Sequence, residues 1–206
     1  CSTDGWRTVA ETELSFHLGP HVPSMGEDGV VRVNTLNHQA LAMPDGSAVG
    51  MCYGYCDHDV VHTDIMYKGW EKYPHDFGIF KYSSWCLGSV DGGKTWHYRG
   101  CVPPLPEMGD EGWAEPGLTL LPNGELLTIL RNGEGNAPLY LARSDDGGRT
   151  WSDPVRSRLN GQYPGLLTMS NGLIVATYGR PDNRIAVCLD GRGEGWPYEI
   201  TVSTAP

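Results

Sequence analysis

Apolar residues occur along this chain in short runs that are separated by turn-forming dipeptides. Asp45-Gly46, Asn123-Gly124 and Asn171-Gly172 each lie between two such runs. Asp-Gly and Asn-Gly supply the positive φ that two-residue hairpin turns require. The pattern therefore predicts three hairpins, with strands at 39–43 and 48–53, 118–121 and 126–130, and 166–169 and 173–178. No stretch has convincing helical periodicity, so we expect an all-β fold.

An eight-residue motif, which we call the box motif, recurs along the chain. Ser89-Val-Asp91-Gly-Gly93-Lys-Thr95-Trp96 returns as Ser144-Asp-Asp146-Gly-Gly148-Arg-Thr150-Trp151. A third copy at 2–8 keeps Ser, Asp, Gly and Thr, and a fourth, from Asp190-Gly191 to Trp196, is degraded. Two copies this similar indicate a structural repeat.

The hairpins and box motifs combine into a repeating unit of four strands. Further strands are predicted at 85–89, 139–144 and 185–189, each before a box motif. A four-stranded repeat of about 50 residues is typical of a β-propeller blade. The repeat therefore predicts that residues 1–206 form a single partial β-propeller. Its blades are expected at 33–102, 114–157 and 162–203, and residues 1–10 are expected to be the end of a preceding blade.

Three blades and a remnant do not close a propeller, which typically has four to eight blades. Two apolar faces would stay open, so we expect the remaining blades of the propeller to be absent from this chain. Self-assembly into a closed ring is the alternative.

The box motif resembles the Asp box of the sialidase superfamily, also called the BNR repeat. The resemblance implies a sialidase-like β-propeller, most often an exo-acting glycoside hydrolase, in a secreted or periplasmic protein. The box residues themselves are expected to be structural. Asp and Ser side chains cap backbone N–H groups in such turns, and Trp packs between strands.

Charge and composition limit the kinds of molecule that the chain is expected to bind. The formal net charge is −10, which argues against a nucleic-acid or anionic membrane surface. The apolar runs are too short for a membrane-spanning helix. A glycan substrate is expected, and no cofactor is predicted. The six cysteines are interpreted as scattered buried thiols, with disulfides or a metal site as alternatives.

The repeat also predicts where chemistry takes place. Strand reversals alternate between the two edges of a blade, so the edge opposite the hairpin and box turns gathers the remaining connections. Alignment on Gly46, Gly124 and Gly172 brings polar residues into register at that edge, where binding sites of propellers form. The candidate residues are Asn37, His38, Glu115, Arg131, Gln162, Tyr163, Arg180 and Arg184.

The resemblance implies roles for three of these residues. Glu115 matches a Glu that activates a Tyr nucleophile and meets a nearby Arg, so it is predicted to be catalytic. Arg131 and Arg184 match two arginines of a triad that binds the carboxylate of an acidic sugar such as sialic acid. A solvated loop acid, for Glu115, and structural salt bridges, for the arginines, are the alternatives. Tyr163 does not match the nucleophile position and is predicted only to line the site.

Other assignments stay open at this stage. The nucleophile Tyr, the acid/base Asp and the first Arg of the triad are expected outside this chain. The long insertion at 53–85 is interpreted as a substrate-shaping loop, although Cys56, His58 and His62 could ligate zinc. The alternative functions are a non-catalytic propeller that binds carbohydrate or protein, and a propeller hydrolase or polysaccharide lyase acting on another sugar.

Overall fold

The computed structural model describes residues 7–8, 13–17, 37, 40–54, 82–106, 108, 112–132 and 137–204. This part of the chain is all-β and contains thirteen strands and no helix. No segment within it could cross a membrane as a helix. The strands are β1 (Ser15–His17), β2 (Ala40–Ala42), β3 (Ala48–Gly54), β4 (Ser83–Ser89), β5 (Thr95–Cys101), β6 (Ala114–Leu120), β7 (Leu126–Arg131), β8 (Pro138–Ser144), β9 (Val155–Asn160), β10 (Gln162–Thr168), β11 (Ile174–Gly179), β12 (Asn183–Cys188) and β13 (Tyr198–Ser203).

Twelve of the strands form three sheets, each built from four consecutive antiparallel strands, and β1 adds to the edge of the first. The first sheet holds β2–β5, the second β6–β9 and the third β10–β13. These sheets confirm the predicted architecture of four-stranded propeller blades.

Strand β1 is an element that the hydrophobic pattern does not predict. It pairs in parallel with β5, and the rings of His17 and His97 stack at 4.7 Å. All three of its residues are exposed, so it has no alternation of buried and polar positions to detect. Its position depends on pairing with the outer edge of β5, which lies far away in sequence.

The reversals within each sheet lie where the turn residues predict them. The hairpins at 43–47, 121–125 and 169–173 and the turns of the box motifs lie at one edge, which we call the turn edge. The opposite edge, where β6 and β10 begin and β7 and β11 end, we call the site edge. An antiparallel order places these two groups of connections at opposite edges.

The core lies between successive sheets. Val49 and Met51 of the first sheet pack with Leu118 and Leu130 of the second. A second cluster joins Leu127 and Ile129 to Leu166, Ile174 and Ala176 of the third sheet. The second sheet therefore packs one face against the first sheet and the other against the third, as propeller blades do.

Cysteines contribute to this core as free thiols. Cys52, Cys86 and Cys188 are buried and form no disulfide. Burial raises the pKa of both Cys52 and Cys86 to about 12, so neither is a thiolate nucleophile at neutral pH. Cys1 and Cys56 lie outside the described residues.

Candidate active site

A local irregularity of the innermost strand creates the site. In β6 the ladder with β7 goes from Ala114–Arg131 directly to Gly117–Ile129, which leaves Glu115 and Pro116 in a bulge. Glu115 has a φ of +50°, a left-handed conformation that non-glycine residues rarely adopt. Bulges of this kind redirect side chains and are common beside active sites.

The third sheet repeats this bulge at the same register. The ladder of β10 with β11 goes from Gln162–Gly179 to Gly165–Thr177, and Tyr163 in the bulge has a φ of +54°. In both strands the bulged residue is followed by Pro, Gly and Leu, at 115–118 and 163–166. The repeated Xaa-Pro-Gly-Leu sequence is therefore the local signature of the bulge.

Glu115 is a buried carboxylate with both oxygens engaged. It is 5% exposed. Oε1 accepts a hydrogen bond from Nη1 of Arg131 at 2.9 Å, and Oε2 accepts one from the backbone N–H of Tyr163 at 2.8 Å. The carboxylate thus joins two strands of its own sheet to the first strand of the next sheet. A side chain held by two donors is pre-organised for chemistry.

Tyr53 completes this cluster from the first sheet. It stands seven residues after Gly46, as Arg131 does after Gly124, and its ring meets Tyr82 edge-on at 5.3 Å. Burial raises the pKa of Tyr53 to about 12, and the negative charge of Glu115 adds to the shift. Tyr53 is therefore a neutral phenol at physiological pH. Its register with Arg131 is the sequence signal that identifies it.

Gln162 and Arg180 form a neighbouring pair at the site edge. Nη1 of Arg180 donates to Oε1 of Gln162 at 2.7 Å. Gln162 is buried, whereas Arg180 is exposed and has a φ of +57°. Tyr163, next to Gln162, is 56% exposed. The structure therefore gathers Glu115, Arg131, Gln162, Tyr163 and Arg180 along one edge.

Arg184 has different partners. Its Nη1 donates to Glu199 at 2.5 Å and its Nη2 to Asp182 at 3.1 Å. Glu199 belongs to β13, the outermost strand of the third sheet. The ion pairs of Arg184 are thus directed within its own sheet, and the structure brings Arg131, not Arg184, into contact with Glu115.

Asn37 contacts the protein backbone. Its Nδ2 donates to the carbonyl oxygen of Pro116 at 3.1 Å. His38 lies outside the described residues, as do Cys56, His58 and His62. Among the residues that the structure describes, no group of three or more His, Cys, Asp or Glu side chains could hold a metal ion.

A cavity of about 620 Å³ lies on the turn edge, away from this cluster. Its lining includes Asn123, Glu125, Arg143 and Asp190. Oδ1 of Asn123 caps the N–H of Glu125, and Asp190 accepts three backbone N–H groups of its own turn. These polar groups are already engaged in hydrogen bonds within the turns. The cluster around Glu115 at the site edge is therefore the better candidate for a catalytic site than the cavity.

Comparison with known proteins agrees with this architecture. A family model described as a BNR repeat-like domain matches residues 29–206. The curated proteins include no match to the chain.

Solved structures with the same fold include one protein without an assigned role and two glycosidases. A protein of unknown function from Dyadobacter fermentans is 22% identical with a TM-score of 0.69, over 98% of this chain and 51% of that one. An alpha-L-arabinanase from Penicillium chrysogenum, complexed with arabinobiose, is 19% identical with a TM-score of 0.64, over 97% and 56%. A Hadza microbial sialidase is 20% identical with a TM-score of 0.56, over 81% and 30%. The chain spans about half the length of the first two structures and 30% of the third.

Proposed function

The chain belongs to the BNR repeat-like domain family, and on that premise we propose that it is part of a propeller glycoside hydrolase whose active site includes Glu115. The reaction would release a terminal sugar at the site edge. The fold likeness to an arabinanase and to a sialidase supports this reaction class.

The observation that carries the proposal is the geometry of Glu115. The Glu115 carboxylate is 5% exposed, and burying a charged group costs free energy. The positive φ of the same residue adds backbone strain. Strained residues of this kind concentrate at active sites. Arg131 and the N–H of Tyr163 offset the cost and fix the direction of the carboxylate.

The hydrogen bonds of Glu115 support one role for it in the proposed reaction. Both oxygens accept hydrogen bonds, so the group is arranged as a hydrogen-bond acceptor and not as a proton donor. An ionised carboxylate can polarise a Tyr nucleophile or stabilise the positive charge of the oxocarbenium-like transition state. The general acid would be a different residue, which the family resemblance implies to be an Asp outside this chain.

The finer proposal concerns an acidic sugar such as sialic acid. Arginine suits a carboxylate because its planar fork donates two parallel hydrogen bonds. Arg131, Arg180 and Arg184 would supply these donors, with Gln162 and Tyr163 lining the site. Arg180 fits this role best, since its described partner is the neutral amide of Gln162.

The charge pairing of the other two arginines favours a second candidate, a neutral sugar. Arg131 is paired with Glu115, and Arg184 with Asp182 and Glu199. An arginine whose charge is already compensated attracts a substrate carboxylate less strongly. A neutral terminal sugar would need hydrogen bonds and ring contacts with Tyr53 and Tyr163 instead.

We also propose that the complete protein closes a propeller with blades that lie outside this chain. The chain spans about half the length of two structures that share its fold. One face of the third sheet carries exposed apolar side chains, among them Leu167, Tyr198 and Ile200. Another blade would bury them.

The experiment compares Glu115→Gln with a matched control, Glu125→Gln, in the complete protein. Glu125 also pairs with an arginine, Arg143 at 3.7 Å, but lies on the turn edge. Aryl glycosides of sialic acid, a uronic acid and arabinofuranose are the substrates. We expect E115Q to lower kcat by about 100-fold or more with little change in KM, and E125Q to stay within about two-fold of the parent.

Two outcomes separate the candidates. If Arg131→Ala weakens binding of an acidic sugar more than of its uncharged analogue, the acidic candidate is supported. Equal losses would favour the neutral sugar. Binding of a glycan without release of any sugar would contradict the enzyme and leave the binding-module alternative.

A further inference from the structure

We infer that Asn37 is a positioning residue for Glu115 and not a ligand of the substrate, an inference that rests on the proposed function of Glu115. The side-chain amide of Asn37 crosses from the first sheet to the bulge of the second. It would act on the reaction only through the conformation of that bulge.

Asn37 is anchored in the first sheet. Its backbone N–H donates to the carbonyl of Met51 at 2.7 Å, which fixes the residue beside β3. Its side chain is partly buried and reaches Pro116 of the second sheet. The residue is therefore held at its backbone N–H and at its side-chain amide, which limits its freedom to bind a sugar.

The contact falls on the strained part of the bulge. The ladder between β6 and β7 passes from Ala114 to Gly117, so Pro116 has no partner in its register. Nδ2 of Asn37 donates a hydrogen bond to the carbonyl oxygen of Pro116, within the bulge, at 3.1 Å. Because Pro116 directly follows Glu115, this hydrogen bond stabilises the left-handed backbone that directs the carboxylate.

The same register is used again at the next seam. Asn37, Glu115 and Tyr163 each stand nine residues before a turn glycine, at Gly46, Gly124 and Gly172. The side chain of Asn37 bonds the bulge of the second sheet, and the side chain of Glu115 bonds the bulge of the third. Glu115 is therefore held through its backbone by the preceding sheet and through its carboxylate by the following one.

Close packing makes the bulge sensitive to such contacts. A Cβ at Gly117 would lie 2.7 Å from the carbonyl oxygen of Pro164, so the two innermost strands touch at the bulges. A displacement in one bulge is transmitted to the other. Misplacement of a catalytic group by about 1 Å costs on the order of 100-fold in rate.

The test combines Asn37→Ala with Glu115→Gln in the complete protein, on the sugar that the protein hydrolyses best. We expect N37A to lower kcat by roughly 10- to 100-fold with KM within about two-fold of the parent. In the E115Q background N37A should have no further effect on kcat, because its influence passes through Glu115. Asn37→Ser, which retains a small polar group, serves if the alanine variant folds poorly.

Asn160→Ala is the matched control. Nδ2 of Asn160 also donates to a backbone carbonyl, that of Arg158 at 3.2 Å, but at the end of the outermost strand β9. Its kinetic constants should equal those of the parent. An increase of KM in N37A with an unchanged kcat, or an equal loss of kcat in the E115Q background, would overturn the positioning role.

A second measurement does not depend on activity. The ¹³C signal of the Glu115 carboxyl group, assigned by its disappearance in E115Q, should shift in N37A and stay unchanged in N160A. An unchanged signal in N37A contradicts the inference even if the enzyme is active. A shifted signal in a protein that releases no sugar supports the positioning contact and rejects the proposed function.

Discussion

At the scale of single residues, the box turns show how few side chains hold a tight turn. Ser144 Oγ donates to Oδ1 of Asp146 at 2.8 Å and accepts the N–H of Gly148 at 2.8 Å. The same Oδ1 accepts the N–H groups of Arg149 and Thr150, each at 2.9 Å. One carboxylate therefore replaces the ladder hydrogen bonds that the turn interrupts.

The degraded copy of the motif forms a turn that is one residue longer and is likewise capped by its Asp. Cys188 replaces the serine and donates through Sγ to Oδ1 of Asp190 at 2.8 Å. Trp196 is 2% exposed and donates to the carbonyl of Gly193, as Trp151 does to that of Gly148. The degraded copy thus keeps the Asp cap and the buried Trp of the full motif, although its sequence differs.

The first residue-scale prediction concerns Asp146. Asp146→Ala removes four hydrogen bonds from the turn and should lower the free energy of unfolding by about 1 kcal/mol or more, as other lost caps do. Asp145→Ala, at the exposed neighbouring position, is the control and should change stability little. Chemical denaturation measures both. Equal stability of the two variants would contradict the structural role of the motif.

The second residue-scale prediction concerns pH. Burial raises the pKa of Asp190, but hydrogen bonds from Cys188 and from the N–H groups of Arg192, Gly195 and Gly193 outweigh burial and bring the pKa to about 2. A carboxyl whose pKa is lower in the folded state stabilises the protein above the unfolded pKa, near 3.8, and loses that contribution as pH falls toward 2.

Asp190→Asn removes this titration and keeps the shape of the side chain. The melting temperature of the parent should exceed that of D190N at pH 6, and the difference should shrink between pH 4 and pH 2. Melting curves at several pH values in this range measure it. A difference that stays constant across the range would show that ionisation of Asp190 does not stabilise the turn.

At the scale of elements, glycines let neighbouring sheets approach. Gly148 has a φ of +88°, and a Cβ there would lie 2.3 Å from Sγ of Cys86 in the first sheet. Gly193 repeats this in the third sheet, where a Cβ would lie 2.6 Å from a methyl group of Leu127. The second glycine of the box turn thus serves both the turn and the contact with the preceding sheet.

This double role gives the element-scale prediction. Gly148→Ala combines backbone strain with a clash, whereas Gly92→Ala, at φ +76° with open space around it, carries strain alone. We expect G92A to cost roughly 1–2 kcal/mol and G148A about 1–3 kcal/mol more. Denaturant midpoints compare the two variants. Equal losses would mean that the sheets can separate to accept the methyl group.

At the scale of the whole molecule, the three sheets differ in what covers their faces. Leu127 and Ile129 of the second sheet are buried against the third sheet. In the third sheet the row formed by Leu167, Val175, Val187 and Tyr198 crosses all four strands, and its two end residues are 55% and 57% exposed. An apolar row of this kind favours association with another surface.

The whole-molecule prediction follows from that row. The isolated chain should self-associate at micromolar concentrations, and Leu167→Glu should shift it toward the monomer. Val155→Glu, at an exposed apolar position of the second sheet, should have a smaller effect. Sedimentation velocity measures the distribution of species. A chain that stays monomeric at high concentration, or association that L167E leaves unchanged, would contradict this expectation.

The sequence alone determined the four antiparallel strands of each sheet, their turns and the order of the sheets, but not β1. Asp-Gly and Asn-Gly turns are local, because positive φ is a property of the residues themselves, and they set the hairpin register. The pairing of Glu115 with Arg131 is also visible in sequence. One residue enters β6 and the other leaves β7, and antiparallel pairing brings such ends together.

Only the tertiary structure decided what happens between the sheets. The hydrogen bond from Tyr163 to Glu115 and the amide contact of Asn37 with Pro116 join residues of different sheets, and no pattern within a single sheet specifies them. Packing of separate sheets fixes these contacts, since it determines which backbone groups a bulge leaves for a neighbour. Local preferences therefore built each sheet, and long-range packing set the direction of Glu115 within the site.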